Sequence, residues 1–242
     1  MNNTPEQRQS LKLFLTAPHP CSYLPGMEAY TVFVDPEATI DQEIYTALSQ
    51  RGYRRSGKFI YKPECLACQA CLSLRIPVEQ YHFSRNEMRI FRKNADLTME
   101  TVDNIFSDEY YALYANYIRL RHHDGDMYPP SEEQYQGFLQ NAFGTTHYLA
   151  FRQGDQLKAV AVTDRLTNAL SSVYTFYDPN DEQRSLGTLG ILSQLRLAQE
   201  LSLSYLYLGY WVEGCKKMEY KSRFQPAEIH SERRWKPFPL QE

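Results

Sequence analysis

The sequence predicts an α+β fold, and three observations carry that expectation. Some segments place apolar residues at every second position between Gly, Pro, Asn or Asp, the pattern of half-buried strands. Others place them three and four apart behind a Ser or Asp, the pattern of capped amphipathic helices. From about residue 106 the two kinds alternate as helix, helix, strand, strand, strand, helix, strand, helix.

The first hundred residues read as shorter pieces. APHPCSYLPG is a Pro- and Gly-punctuated loop and TVFVDP a strand, and Asp41 to Arg51 form a helix ended by Gly52, with Ile44, Tyr45 and Leu48 as its buried stripe. FIYK is a further strand. A cysteine-bearing loop then leads into LSLRIPVEQY, where Leu72, Leu74, Ile76 and Val78 alternate as in a strand with one buried face. SRNEMRIFRKN supplies Ser84 and Glu87 as a capping box and reads as a basic helix.

Longer periods follow. SDEYYALYANYIRLRHHDG reads as a helix capped by Ser107 and closed at Gly125, with Tyr110, Leu113, Tyr114, Tyr117 and Ile118 inward; His122 and His123 belong to its capping or solvent-facing end. A second helix starts at Ser131, with Gln134 completing a box and Tyr135, Phe138 and Leu139 inward. THYLAFRQ, the turn Gly154-Asp155 and QLKAVAVTDRL form a hairpin. LSSVYTFYDP is a third strand, SLGTLGILSQLRLAQELSL a long helix, LSYLYLGYWVEG a fourth strand and KKMEYKSRF a short helix. The change of texture divides the chain into residues 1–105, a cysteine-containing lobe, and residues 106–242.

A chain of 242 residues buries a substantial core without disulfides. Its five cysteines are an odd count, and MNNTPEQRQS lacks the basic flank and apolar stretch of a secretory signal, so a reducing cytoplasm is the expected compartment. No apolar run approaches the ~20 residues that span a bilayer. Net charge is only -3, yet 16 of the 26 Lys and Arg residues fall in four runs, RGYRRSGKFIYK, RNEMRIFRK, KKMEYKSR and RRWK. One such run is ordinarily a solvated face, whereas four interleaved with aromatics point to a phosphate-bearing partner.

RSLGTLG opens the long helix and places Arg184, Gly187 and Gly190 around its first turn. Helix-start amides lack intrahelical partners, glycines let an anion approach them, and an arginine adds a bidentate contact, so the segment outlines a phosphate cradle. The same glycines could instead serve close helix packing.

With R-x-x-G-x-x-G opening the helix between the third and fourth strands, the element order resembles the GNAT acyltransferase fold, over residues 106–225. Further wording narrows the likeness. PCSYLPG, RRSGKFIYKPECLACQACLSLRIPV, VYTFYDP, RSLGTLGILSQLRLAQEL and YLYLGYWVEGCKKMEYKSRF together resemble the bacterial aspartate/glutamate leucyltransferases, relatives of the arginyl-tRNA-protein transferases. The resemblance implies a GNAT-like domain with a cysteine-bearing N-terminal lobe. It also implies transfer of leucine from leucyl-tRNA to proteins with N-terminal Asp or Glu, marking them for N-degron degradation; the lack of a bilayer-length apolar run leaves no membrane partner expected.

An aminoacyl ester is already activated, so positioning and oxyanion stabilisation carry such chemistry, and a free α-amine of pKa about 8 needs only a modest proton acceptor. Glu213 and Asp178, at the ends of neighbouring strands, are candidate acceptors, though each could equally cap a helix or pair with a lysine. Tyr174, Tyr177 and Tyr210, on the same strands, are candidate oxyanion donors or stacking surfaces for the terminal adenine, or else core residues. Cys215 beside Lys216 and Lys217 reads as packing rather than as a nucleophile. On the resemblance, Arg184, Gly187 and Gly190 would hold the tRNA 3′ end, and Lys216, Lys217, Lys221 and Arg223 would extend the track along the acceptor stem. Arg54, Arg55 and Arg75 are candidates for binding the acceptor's acid.

Cys65, Cys68 and Cys71 lie at steps of three, and Cys21 is the obvious fourth thiol for a tetrahedral zinc or an Fe–S cluster. No such group is required for the chemistry itself, and four small buried thiols are the alternative. Eukaryotic members, which the resemblance associates with an Fe–S cluster, use adjacent cysteines where this chain spaces three. Three other functions stay open at this level: transfer from an arginyl donor, coenzyme A-dependent N-acetylation, and noncatalytic sensing by a cluster-bearing nucleic-acid binder.

Overall fold

The computed structural model describes residues 10–239. The opening residues MNNTPEQRQ, on which the expectation about a secretory signal rests, lie outside the described residues. Early in the chain, β1 (Leu13–Leu15), β4 (Thr31–Val34), β5 (Arg54–Ser56) and β6 (Phe59–Pro63) form a four-stranded sheet in the order β1-β4-β6-β5. A short ladder joins β2 (His19–Pro20) to β3 (Glu28–Ala29). Helix α1 (Gln42–Gln50) starts where Asp41 accepts a hydrogen bond from the Ile44 amide at 2.8 Å, and it buries Tyr45 and Leu48 against Val34 and Ile60.

An eight-stranded sheet forms the centre, in the order β14-β13-β7-β12-β11-β10-β9-β8. Its strands are β7 (Leu72–Pro77), β8 (Thr98–Val102), β9 (Thr146–Gln153), β10 (Gln156–Arg165), β11 (Ala169–Tyr177), β12 (Tyr205–Trp211), β13 (Glu228–Ser231) and β14 (Arg234–Pro237). Only the β11–β12 pair is parallel, and α5 (Leu186–Glu200) makes the crossover between them. Strand alternation divides the core: Tyr148, Ala150, Val160, Val162 and Phe176 pack under α3 (Asp108–Arg121) and α4 (Glu132–Leu139). Leu149, Phe151, Ala159 and Ala161 face α5 and α2 (Arg85–Lys93) on the other side.

The Ser84–Glu87 capping box forms in both directions, and Ser131 caps α4. Three readings are corrected. LSLRIP is buried on both faces: Leu74 and Ile76 face the core, while Gly52 and the rings of Tyr205 and Trp235 cover Ser73 and Arg75. The strand stops at Pro77, and Val78–Gln80 turn as a 3-10 helix. Helix α3 ends at Arg121 with His122 as its cap, short of Gly125, and the Ser107 hydroxyl makes no capping bond. The basic run RRWK lies at the turn and second strand of the β13–β14 hairpin, with Arg233 and Arg234 exposed. Since β7 and β8 belong to the central sheet, that sheet runs across the 105/106 division. Among the described residues no helix is long and apolar enough to cross a membrane.

A buried ion pair ties the small sheet to the large one. Arg55 on β5 meets Asp164 on β10, Nε to Oδ2 at 2.5 Å and Nη2 to Oδ1 at 2.8 Å, with both side chains almost wholly inaccessible. Thr146 and Tyr45 donate their hydroxyls to the same carboxylate at 2.7 and 2.8 Å. Burial alone would raise the Asp164 carboxyl, but the Arg55 charge and these donors hold it below its ordinary value. Its contribution to stability is therefore full above the unfolded carboxylate pKa of about 3.9 and is lost as pH falls through the depressed folded value. Arg55→Ala is expected to cost about 3–5 kcal/mol in urea unfolding, because it strands a buried charge, whereas the pair Arg55→Met with Asp164→Leu costs clearly less. Equal losses from the single and paired changes would contradict this.

Candidate active site at the parting of two parallel strands

Strands β11 and β12 pair only over Ala169–Ser171 and Tyr205–Tyr207. Beyond that point each keeps only its outer neighbour, and β12 bulges against β7 between Tyr207 and Gly209. Gly209 sits at φ 79°, a left-handed conformation that glycine adopts without strain, and a Cβ there would run into the Arg54 guanidinium. Arg54 fills the space the bulge creates. Its Nη2 donates to the Ser172 carbonyl at 2.9 Å, while Nη1 is buried without a hydrogen-bond partner among the described residues. An unpartnered buried donor ordinarily costs about 1–3 kcal/mol, and more when charged, so this one is suited to an incoming anionic oxygen.

Lys221 lies beside it. Its Nζ donates to the Tyr210 carbonyl at 2.6 Å, and burial, helped by the Arg54 charge, brings the ammonium down to about 7. Arg54 also acts electrostatically on Tyr23, Tyr61 and Tyr220. An anion-ready guanidinium next to an amine whose ammonium is brought down to about 7 is an arrangement able to hold an acid and take a proton.

The other expected residues have different duties. Arg55 is consumed by Asp164. Arg75 pairs with Glu228 at 2.7 Å and is sandwiched between the rings of Tyr205 and Trp235, at 3.7 and 4.1 Å, so it is no free cation either. Arg184 makes a two-pronged pair with Asp96, both bonds 2.8 Å, in place of awaiting a phosphate. A Cβ on Gly187 would meet Tyr177 at 3.0 Å and one on Gly190 would meet Thr175 at 3.0 Å, so these glycines set the closeness of helix to sheet. Asp178 accepts from Lys158 at 3.3 Å and from the Asn180 amide at 3.0 Å; against the rise that desolvation would cause, these bonds lower its carboxyl, making it a weak base. Glu213 is exposed in the turn after β12.

Tyr210 spends its hydroxyl on the Gly52 and Tyr61 carbonyls, at 2.9 and 3.2 Å, and cannot serve an oxyanion without breaking those bonds. The Tyr174 ring packs against Tyr114, Tyr117 and Phe138, and its hydroxyl donates only a long bond to the Met127 sulfur, at 3.7 Å, which an oxyanion could replace. Lys217 pairs with Asp124, while Lys216 and Arg223 are exposed. Cys215 is buried, in line with packing. The sequence placed Lys221 on an outer track and gave Gly209 no role; a glycine inside the apolar run YLYLGYW was the available sign of a bulge.

Cys21, Cys65, Cys68 and Cys71 line one cavity of about 360 Å³ together with Tyr23, Tyr210 and Gly52. All four are free, and the Cys71 thiol is pushed up to about 12 by burial and then by the neighbouring thiols. The donor set has the softness that zinc or an Fe–S cluster requires. Among the described residues, however, no three His, Cys, Asp or Glu side chains are placed to hold an ion as they stand.

An arginine and a low-pKa amine at the open mouth of a mixed sheet define a site suited to joining an amine to an activated acyl group. Residues 19–89 and 109–231 match the models for the N terminus and the C terminus of arginine-tRNA-protein transferase. The aspartate/glutamate leucyltransferase of Saccharophagus degradans is 50% identical over 94% of this chain and 97% of its own length. That of Stutzerimonas stutzeri is 50% identical over 93% of this chain and 96% of its own. The chain belongs to the aspartate/glutamate leucyltransferase family. Among solved structures it has a distant likeness to FemX, with TM-score 0.48 and 8% identity over 73% of this chain and 62% of that one.

Reductive ¹³C-methylation followed by NMR titration is expected to show one lysine titrating near 7, its signal absent from Lys221→Arg. A Lys221 signal titrating near the ordinary lysine value of about 10.4 would refute the assignment.

Proposed function

We propose that this chain transfers leucine from leucyl-tRNA to the N-terminal Asp or Glu of acceptor proteins, so marking them for degradation, with the parting of β11 and β12 as its active site. The observation that carries the reading of the site is Arg54: among the three arginines considered for the acceptor's acid, it alone has no carboxylate partner among the described residues and keeps a buried donor unspent. Antiparallel β9–β10–β11, then α5, then a parallel β12 that separates from β11, supports the GNAT-like form of the domain. The relatives' names favour a leucyl donor over an arginyl one, and over coenzyme A-dependent acetylation or noncatalytic sensing.

In this reading the acceptor's side-chain carboxylate takes the free Arg54 Nη1, which fixes its α-amine against the ester carbonyl. Attack forms the new C–N bond; the proton released by the amine passes to neutral Lys221 Nζ. Collapse of the tetrahedral intermediate breaks the C–O bond to the terminal ribose, and Lys221 returns the proton to the departing oxygen. The Tyr174 hydroxyl is the available donor for the developing oxyanion. Because Lys221 works as the neutral amine, the rate rises with pH through about 7. No step is routed through a metal or cluster at Cys21, Cys65, Cys68 and Cys71; metal analysis of protein prepared without oxygen tests that site separately.

Labelled leucyl- and arginyl-tRNA offered with peptides beginning with Asp or Asn test the reading. Label is expected to pass from leucyl-tRNA to the Asp peptide. Arg54→Met is expected to lower kcat/KM for that peptide by about 10- to 100-fold, the worth of one charge-assisted hydrogen bond, with donor KM unchanged. Lys221→Met is expected to remove the rising limb near pH 7. Transfer to Asn and Asp peptides with equal efficiency would remove Arg54 from its role.

A further inference from the structure

Helix α2 carries a face that its packing does not use. It is anchored on one side only: Ile90 and Phe91 pack against the core, and Arg196 of α5 stacks on Phe91 at 3.6 Å. The outer side carries Arg85, Arg89, Arg92 and Lys93, all exposed and spaced so that a helix sets them on one face. Its acid Glu87 is taken up by the Ser84 amide at 2.7 Å and by the Tyr81 hydroxyl.

Among the described residues none of the four cations lies in an ion pair, although Arg121, Arg152, Lys217 and Lys236 elsewhere on the surface each find a carboxylate. The carboxyl end of α2 is fixed to the approach to α5. Lys93 Nζ donates to the Gln183 carbonyl at 2.6 Å, Asn94 Nδ2 donates to the Arg184 carbonyl at 2.9 Å, and Asp96 holds the Arg184 guanidinium. A row of positive charge without carboxylate partners among the described residues therefore runs along α2 and ends at Gln183 and Arg184, just before α5, whose Gly187 lies against Tyr177 of β11.

We propose that the outer face of α2 is the docking surface for the phosphate backbone of the donor tRNA's acceptor stem, which leads the aminoacylated 3′ end toward the parting of β11 and β12. The inference rests on the function proposed above. A solvated face of the same composition would be equally basic, but it would make no distinction between a long RNA donor and a short one. Phosphate contact makes that distinction, because each neutralised phosphate releases counterions and contributes roughly 0.7–0.9 to the slope of log affinity against log salt.

The test compares the full chain with Arg85→Gln, Arg89→Gln and Arg92→Gln combined, and with the matching triple change to Lys. The probes are leucyl-tRNA, uncharged tRNA and the 3′-leucyl ester of a CCA trinucleotide. Expected for the Gln variant are a KM for leucyl-tRNA raised at least tenfold near 0.15 M salt and a tRNA salt slope flatter by about 2. Its kcat/KM for the trinucleotide ester should stay within twofold, and the Lys variant should resemble the unaltered protein. An unchanged salt slope overturns the proposal, as does an equal loss with both donors in a Gln variant that keeps its circular dichroism and melting profile. If the unaltered protein fails to transfer leucine at all, the proposed function falls, and the salt slope for uncharged tRNA still decides the surface.

Discussion

The buried pair between Arg55 and Asp164 is the constraint on which the site depends. It holds the short strand β5, a member of the small sheet, against β10 of the central one. Arg54 is the next residue along, and on the partner strands Asp164 opposes Ser171 just as Thr163 opposes Ser172. Fixing Arg55 on Asp164 thus delivers Arg54 one step further, to the Ser172 carbonyl at the place where β12 turns away. Two arginines of opposite fate follow from one local geometry. The first is neutralised and structural; the second is left with a donor and no acid.

The surrounding chemistry is shaped by the same crowding. Arg54 raises the cost of a second positive charge nearby, and this together with burial is what lowers the Lys221 ammonium. A carboxylate arriving at Arg54 would partly offset that effect, so binding of an acidic acceptor and the proton affinity of Lys221 are linked. An activated ester demands little more than this: a held amine, a place for the proton and a donor for the oxyanion. The open parting supplies room because β11 and β12 are parallel, with α5 carrying the chain between them, so that one short run of pairing is enough to join them.

Much of the fold was legible because its elements are locally consistent. The Asp41 cap, the Ser84–Glu87 box and the hairpin at Gly154-Asp155 each write their geometry into a few adjacent residues. What could not be read was partner choice across the chain. LSLRIP alternates like a half-exposed strand, yet Gly52, Tyr205 and Trp235, most of them far along the sequence, close over its polar face too. Arg55, Arg75 and Arg184 were good anion binders by residue type, and each proved to be matched by an acid 109, 153 or 88 positions away. Lys221 looked like one more surface lysine because nothing local announces that Tyr210 and Arg54 will enclose it. The lone acid in AVAVTDRL was the one sign in the sequence that a cation would have to be buried opposite it.

A structure of the chain with a bound peptide beginning with Asp tests the central claim most directly. The account predicts the peptide's side-chain carboxylate within hydrogen-bonding distance, about 3 Å, of Arg54 Nη1, with its α-amine turned toward Lys221. A carboxylate held by a different cation, with the Arg54 guanidinium still bound only to the Ser172 and Val173 carbonyls, would contradict it.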